Sequence, residues 1–386
     1  MKILHISDLH IGKIVNGFSM IPEQRYVFDQ IYRYIDEEEP DVLLIAGDVY
    51  DRTIPGVEAV GLFDDFLTEV AGKNIAILLI AGNHDSPERL SYAGRILSAR
   101  GIHLCGAYTG SLSSICIEDA FGEVCFWLLP FVKPSTVRIY HPDREVDSYS
   151  DAIAAVLDGA TRDSSCRHVL LSHQFYTKTG VQAERSESEM SPVGGLDAVD
   201  AELLADFDYV ALGHLHGAQN VGERVRYAGS PVKYSFSECR QQKSVTEVIL
   251  GAKGDLTIRA LPLEPLHDMR EIRGPLEDLI REDVVALQDR EDYLRVILTD
   301  EVEVADPMGK LRSVYPNIMA FSYDNSRTRW DSAYNAPETD RVETLSPYEL
   351  FQEFYREING SVMSESQAAL ISELLEGSAN VAEGDG

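Results

Sequence analysis

Short, nearly continuous apolar runs recur along the first 216 residues. They are Ile3-Leu4-His5-Ile6, Val42-Leu43-Leu44-Ile45-Ala46, Ile75-Ala76-Ile77-Leu78-Leu79-Ile80, Val169-Leu170-Leu171 and Tyr209-Val210-Ala211-Leu212. Runs of this length suit strands buried on both faces. Between the first three lie helical patterns. Val27, Ile31, Tyr34 and Ile35 share one face of residues 23–36, and Val60, Phe63, Leu67 and Val70 share one face of residues 57–71. Three- and four-residue spacing marks amphipathic helices. The resulting βαβ alternation predicts helices flanking a largely parallel sheet.

Downstream the pattern changes. Pro262, Pro265, Gly274 and Pro275 suggest a boundary near residue 265. Beyond it, Tyr293-Leu294-Arg295-Val296-Ile297-Leu298 alternates like a strand, residues 308–314 suit a short helix, and Ile318-Met319-Ala320-Phe321 comes next. These predict a small α+β domain over 266–342. Ser346-Pro347 opens a helix start. Amphipathic spacing then runs through Leu350, Phe351, Phe354 and Tyr355, and again through Leu370, Ile371, Leu374 and Leu375. The reading is therefore a main domain at 1–265, a small domain at 266–342, C-terminal helices at 343–376 and a disordered acidic tail at 377–386. A polar segment from Thr177 to Gly195 is long for a loop inside a compact domain, and its place after His173 predicts a substrate-facing role.

The residues that close each apolar run carry the chemistry. The runs end in Ser7-Asp8-Leu9-His10, Gly47-Asp48, Gly82-Asn83-His84-Asp85, Ser172-His173 and Gly213-His214-Leu215-His216. The carboxyl ends of strands are where an open α/β sheet puts its site. Asp8 and Asp48 offer carboxylates, Asn83 an amide oxygen, and His10, His173, His214 and His216 imidazoles. This oxygen and nitrogen set contains no thiolate, so it suits Mn²⁺, Fe²⁺ or Zn²⁺ and not a thiolate zinc site. Seven ligands exceed one tetrahedral ion and fit two ions sharing a carboxylate. Two divalent cations against two carboxylates leave positive charge that attracts a phosphate ester and lowers the pKa of a nearby water. His5, His103 and His168 stand outside these clusters and read as ordinary core or surface histidines.

Composition narrows the setting. A chain of 386 residues exceeds one typical core. No apolar run reaches the roughly 20 residues of a membrane span, and Asp8 lies where a cleaved leader would be lost. The five cysteines show no paired spacing, so they are expected to be reduced, mostly core thiols of a cytoplasmic protein. The net charge of −30, with the acid excess densest in the C-terminal third, argues against a free-standing DNA-binding module.

The ordered set Asp-x-His, Gly-Asp, Gly-Asn-His-Asp, His and Gly-His-x-His resembles the calcineurin-like metallophosphoesterase superfamily. One branch, the SbcD-type nuclease subunits, is closer still. Further likeness lies in Ile11-Gly12-Lys13, in Val49-Tyr50-Asp51-Arg52, and in Val193-Gly194-Gly195. It continues in Tyr227-Ala228-Gly229-Ser230-Pro231, in Tyr234 to Glu238, and in the helix at Leu350 to Tyr355. The resemblance implies a two-sheet sandwich flanked by helices, with a capping domain and C-terminal helices. It implies a first metal on Asp8, His10, Asp48 and His216, and a second on Asp48, Asn83, His173 and His214, with Mn²⁺ favoured. It implies that His84 contacts the scissile phosphate, with Asp85 holding its ring.

Further implications are double-strand 3′→5′ exonuclease and hairpin or end-opening endonuclease activity in DNA repair, recombination and replication. A homodimer within a heterotetramer is implied, together with an SbcC-type SMC-like ATPase bound by the C-terminal helices. Asp51 stands where related break-repair nucleases have a His, as is common on this branch. Gly217-Ala218 replaces a frequent Arg-Pro. The rivals are a metallophosphatase or phosphodiesterase with a non-DNA substrate, and a non-catalytic scaffold. Asp85 counts against the first, because protein phosphatases of the superfamily typically have Glu there. The filled motif positions count against the second.

Overall fold

A computed structural model describes residues 1–178, 185–189, 198–302 and 304–328, with isolated positions between 348 and 371. Two six-stranded sheets dominate. The first runs in the order Leu256–Pro262, Ser244–Leu250, Lys2–Ile6, Val42–Ala46, Ala76–Ile80 and Ile102–Cys105. Its last four strands are parallel, and the other two join antiparallel. The second runs Gln219–Asn220, Val225–Tyr227, Tyr209–Leu212, Arg167–Ser172, Gly122–Leu129 and Ser113–Asp119. All five apolar runs are strands.

Side-chain alternation along each strand sorts the core into layers. Ile3, Val42, Leu44, Leu78 and Ile80 of the first sheet meet Val124, Phe126, Leu128, Val169, Leu171, Tyr209 and Ala211 of the second. Their sequence neighbours Leu4, Ile6, Leu43, Ile45, Ile77 and Leu79 face outward. There they pack against Val27, Phe28 and Ile31 of helix Ile21–Glu38 and Leu62, Phe63 and Phe66 of helix Val57–Ala71. Leu170, Val210 and Leu212 pack on the far side of the second sheet against Ile153 and Val156 of helix Tyr149–Asp158. Burial on both faces explains why the runs lack polar alternation. His5 points into the middle layer, where its Nδ1 lies 2.9 Å from the Tyr209 hydroxyl and burial pushes it down to about 3, a neutral core histidine as expected. His168 is bonded at both ring nitrogens, between the Trp127 indole and the Asp163 carbonyl.

The smaller α+β elements form as expected. Strands Met269–Gly274, Tyr293–Leu298 and Ile318–Tyr323 make a three-stranded sheet, and Pro307–Arg312 is a helix. Residues 1–299 with 304–322 form one compact unit, and 300–303 with 323–386 a second. Tyr348, Phe351, Tyr355, Leu370 and Ile371 are helical. Ser346, Pro347, Leu350, Phe354, Val193-Gly194-Gly195 and the tail lie outside the described residues. No helix among the described residues is long and apolar enough to cross a membrane.

The cysteine expectation needs correction. Cys116 and Cys125 form a disulfide. They are direct partners across the antiparallel pair of Ser113–Asp119 and Gly122–Leu129, a register that linear spacing does not display. Cys105, Cys166 and Cys239 are free and half-buried, not core.

Candidate metal centre

Three of the five motifs leave a strand through a strained turn. Among the described residues nine non-glycine positions have positive φ, and four of them are Asp8 at 53°, His10 at 42°, Asp48 at 51° and His214 at 99°. Such conformations cost of order 1–3 kcal/mol each and persist only where surroundings impose them. Here the loops impose them on one another. Asp8 N–H donates to the Gly47 carbonyl (3.0 Å), His10 N–H to the Asp48 carbonyl (3.0 Å) and Gly213 N–H to the Ser172 carbonyl (3.1 Å). Gly47, at φ 89°, lies under the His173 ring, where a Cβ would collide with that ring. A Cβ on Gly82 would strike the Asp48 carboxylate. The glycines of the motifs let the loops pack backbone to side chain.

The seven predicted ligands come together. His173 Nε2 lies 3.2 Å from Asp48 Oδ2, 3.2 Å from Asn83 Oδ1 and 4.0 Å from Asp8 Oδ1. His214 Nδ1 is 3.1 Å from the same Asn83 oxygen. His10 Nε2 is 3.2 Å from His216 Nε2 and 3.7 Å from Asp48 Oδ2. Donor atoms of Asp8, His10 and His216, and of Asp8, Asp48 and His173, lie within 4.8 Å of one another.

The donor chemistry fits divalent cations. His173 Nδ1–H donates to the Ala46 carbonyl (2.7 Å), which turns the Nε2 lone pair toward the oxygens of Asp48 and Asn83. His216 Nδ1–H is shared by Ser188 Oγ (2.8 Å) and Glu238 Oε1 (3.3 Å), which turns its Nε2 lone pair toward His10. Such ring nitrogens and oxygens, crowded together, repel unless a proton or a metal cation sits among them. Titration reports the same field. Burial alone would lower His173, but the Asp48 and Asp8 carboxylates outweigh it and push the imidazole up to about 9. Burial alone would raise Asp48, but the facing imidazoles of His173, His10 and His84 hold it well below the carboxylate range. His214 is pushed down to about 3 by burial and then by the charges of His173 and Arg185.

His84 stands beside this set, its ring edge-on to His10 with centroids 4.8 Å apart. Its backbone N–H donates to Asp48 Oδ1 (2.8 Å), and its Nδ1–H donates to the Asp51 carbonyl (3.0 Å). The expectation that Asp85 holds this ring is corrected. The Asp85 carboxylate accepts the backbone N–H groups of Val49 (3.1 Å), Tyr50 (2.9 Å) and Gly82 (2.9 Å), so it braces the second and third motif loops. Burial and the nearby Asp48 raise it to about 6. The ring is held by the Asp51 main chain, because the third-motif turn directs Asp85 back under its own loop.

An outer shell surrounds the ligands that the motif reading did not assign. Gln24 Nε2 donates to the carbonyls of Leu9 (3.1 Å) and His10 (2.8 Å) and its Oε1 accepts from Gly12 N–H (3.0 Å), fixing the first motif to helix Ile21–Glu38. Lys13 pairs with Asp51 at 2.7 Å. Glu238, fully buried, pairs with Lys243 at 2.6 Å. Burial would raise Glu238, but the hydrogen bond from His216 and the Lys243 charge hold it at about 2. Within the long segment, Ser188 Oγ donates to Glu238 (2.6 Å) and Glu189 Oε1 accepts the His216 N–H (2.7 Å). That part of the segment therefore reaches the centre. Residues 179–184 and 190–197 lie outside the described residues.

Comparison with known proteins agrees with this geometry. Residues 1–218 match the family model described as calcineurin-like phosphoesterase. Residues 265–359 match the SbcD_C model, described as type 5 capsule protein repressor C-terminal domain. The chain is 31% identical over 379 residues to the SbcD subunit of the nuclease SbcCD from Staphylococcus epidermidis, covering 97% of this chain and 98% of that protein. Solved structures with some likeness are a dimetal phosphatase from Danio rerio (12% identity, TM-score 0.39, 69% of this chain and 98% of that one) and TT1561 of Thermus thermophilus (11%, 0.38, 67% and 98%). With likeness over nearly its whole length and its first 218 residues matching the phosphoesterase model, the chain belongs to the calcineurin-like phosphoesterases and, within them, to the SbcD nuclease-subunit family.

Proposed function

We propose that this chain is a two-metal phosphodiesterase that cuts DNA, as a double-strand 3′→5′ exonuclease and a hairpin or end-opening endonuclease. The observation that carries the reading is the convergence of Asp8, His10, Asp48, Asn83, His173, His214 and His216 from five strand ends into one cluster of ring nitrogens and side-chain oxygens. Asp8, His10, Asp48 and His216 would hold one ion, and Asp48, Asn83, His173 and His214 the other, with Mn²⁺ the favoured metal. When bound, such ions neutralise phosphate charge and acidify water.

The chain's own residues do the rest. Glu238 and the Ala46 carbonyl fix the tautomers of His216 and His173. Asp51 orients His84 through its carbonyl, leaving the other ring nitrogen of His84 to contact the scissile phosphate, where the doubly protonated ring would stabilise the transition state or give its Nε2 proton to the departing oxygen. Asp85 keeps the two loops that carry Asp48 and His84 in register.

The partner reading rests on the Staphylococcus relative, whose name makes it one subunit of a complex. An SbcC-type SMC-like ATPase would bind the helices of 343–376 and supply basic surface that a chain of net charge −30 lacks. The 266–342 region would cap and position DNA, and the chain would dimerise within a heterotetramer acting in DNA repair, recombination and replication. The test is cleavage of a linear duplex with Mn²⁺ by wild type and His84→Ala, with and without that partner and ATP. Cleavage lost in the variant supports the reading. Turnover of a small phosphomonoester with no DNA cleavage under any condition overturns it in favour of a phosphatase.

A further inference from the structure

The second sheet carries a cysteine cluster well away from the metal centre. Cys116 and Cys125 face each other across the hairpin of Ser113–Asp119 and Gly122–Leu129. Their Cα atoms are 4.1 Å apart, as in the closer pair type of an antiparallel ladder. Glu123 lies two residues before Cys125, so its side chain shares that face. Donor atoms of Cys116, Glu123 and Cys125 lie within 4.8 Å of one another. Cys166 directly precedes the neighbouring strand Arg167–Ser172, and its thiol donates to Glu123 Oε2 at 3.4 Å. Cys125 is buried, whereas Cys116 and Glu123 are exposed, so solvent reaches the cluster from one side. Cys166 and the ligand His173 flank opposite ends of one strand, about 23 Å apart at the rise of an extended chain.

We infer that the reduced chain binds a thiophilic divalent cation of the Zn²⁺ class through the Cys116 and Cys125 thiolates and the Glu123 carboxylate. Two thiolates and a carboxylate suit such a cation and not the hard ions that all-oxygen sets select. A tetrahedral ion with bonds of about 2.3 Å to sulfur needs the two sulfurs roughly 3.8 Å apart. The facing pair reaches that spacing by side-chain rotation alone, because the hairpin is backbone-paired from Ser113–Leu128 to Asp119–Gly122. The Cys166 thiol orients the Glu123 carboxylate. Redox state gates the site. Attack on a small disulfide RSSR forms the Cys116–Cys125 bond, breaks the S–S bond of RSSR, passes two electrons to it, and releases two RS⁻ and the cation. A dithiol reductant runs the exchange backwards: it gives two electrons to the Cys116–Cys125 bond and closes to its own disulfide. The two protein thiols then lose their protons to solvent as the cation binds. The inference is independent of the DNA reading, since the two sites share no residue.

The experiment titrates Co²⁺ into the full chain, reduced with a phosphine in one arm and oxidised in the other. The phosphine becomes its oxide, and water supplies the oxygen and the two thiol protons. Co²⁺ takes Zn²⁺-type ligand sets and reports thiolate ligation by charge-transfer absorption in the near ultraviolet. The thiolate-free centre at His173 contributes nothing to that band. The expected result is a band in the reduced chain, none in the oxidised chain, and loss of the band when glutathione disulfide is added. Replacing both Cys116 and Cys125 by Ser should abolish it. Glu123→Gln should move its midpoint to higher Co²⁺, and Cys166→Ser should keep the band with a smaller shift. Replacing Cys105 and Cys239 by Ser should leave it unchanged. Alkylation of the reduced wild type, mapped by mass spectrometry, needs no variant: Co²⁺ should shield Cys116 and leave Cys239 open. No band in the reduced wild type, a band that survives loss of Cys116 and Cys125, or an unmoved midpoint in Glu123→Gln overturns the inference. Equal alkylation of Cys116 with and without Co²⁺ overturns it as well.

Discussion

The two ends of the sandwich treat buried charge in opposite ways. At the end away from the ligands, Arg167 opens a strand of the second sheet and is almost fully buried. Its guanidinium donates to the carboxylate of Asp119 and to the carbonyls of Gly122, Leu250 and Gly251, tying the second sheet to the first. Donors there meet acceptors, and the Asp119 carboxylate faces cations. At the ligand end, ring nitrogens of His10, His173, His214 and His216 meet each other or the oxygens of Asp8, Asp48 and Asn83. One end is completed by the protein itself, and the other is built to be completed by cations. The difference separates a clamp from a centre more clearly than burial does, because each mixes buried and partly buried groups.

The largest effect expected from breaking this contrast is at the ligand end. His84→Ala should lower turnover by about 10²–10⁴-fold, the range for a positioned proton donor, with metal content by elemental analysis unchanged. Loss of the metals along with activity would make His84 a ligand and erase the distinction between it and the other imidazoles. At the clamp end, Asp119→Ala leaves Arg167 buried beside no counter-charge and should cost about 3–5 kcal/mol, read by chemical denaturation. Its metal affinity should stay at the wild-type value; a parallel fall would mean that the two ends are not separable.

A smaller change probes the outer shell. Glu238→Gln should weaken metal binding by about 10–100-fold, measured by calorimetry with Mn²⁺, with little effect on unfolding in chelator. The smallest effect sought is the pH dependence of the clamp. The hydrogen bonds from Arg167 outweigh burial and hold the Asp119 carboxyl well below its usual range. A group lowered on folding contributes stability above its ordinary value, about 4, and loses it as pH falls toward the folded value. The stability gap between wild type and Asp119→Asn should therefore shrink on acidification; a gap that widens would contradict the assignment.

The convergence of the candidate ligands was legible because each follows an apolar run within a few residues, so sequence adjacency places it at a strand end. The layers were legible for the same reason, since runs without polar alternation require two covered faces. The outer shell was not. Gln24, Glu238 and Lys243 acquire their roles by lying against motif loops 14 to 27 residues away in the chain, and only the packed sandwich specifies those approaches. Asp85 was misread because a carboxylate next to an imidazole in sequence need not face it; the turn sends it to three backbone amides instead. Cys116 and Cys125 escaped because their pairing arises from hairpin register. The C-terminal helices were read from spacing, and half of the positions that carry it, Leu350, Phe354, Leu374 and Leu375, fall outside the described residues.

Asp8, on the first sheet, is held by the backbone N–H of His214 from the second at 3.0 and 3.1 Å, and His173, on the second, by the Ala46 carbonyl of the first. Each sheet aims the other's ligands, so a half-docked chain offers ions no formed site. Metal binding and sheet docking are then a single mass-action equilibrium, in which a free-ion concentration of 100 times Kd adds about 2.7 kcal/mol for one site to the folded state. Chelation and gentle heating would push that equilibrium the same way, one by withdrawing the ions and the other by parting the sheets.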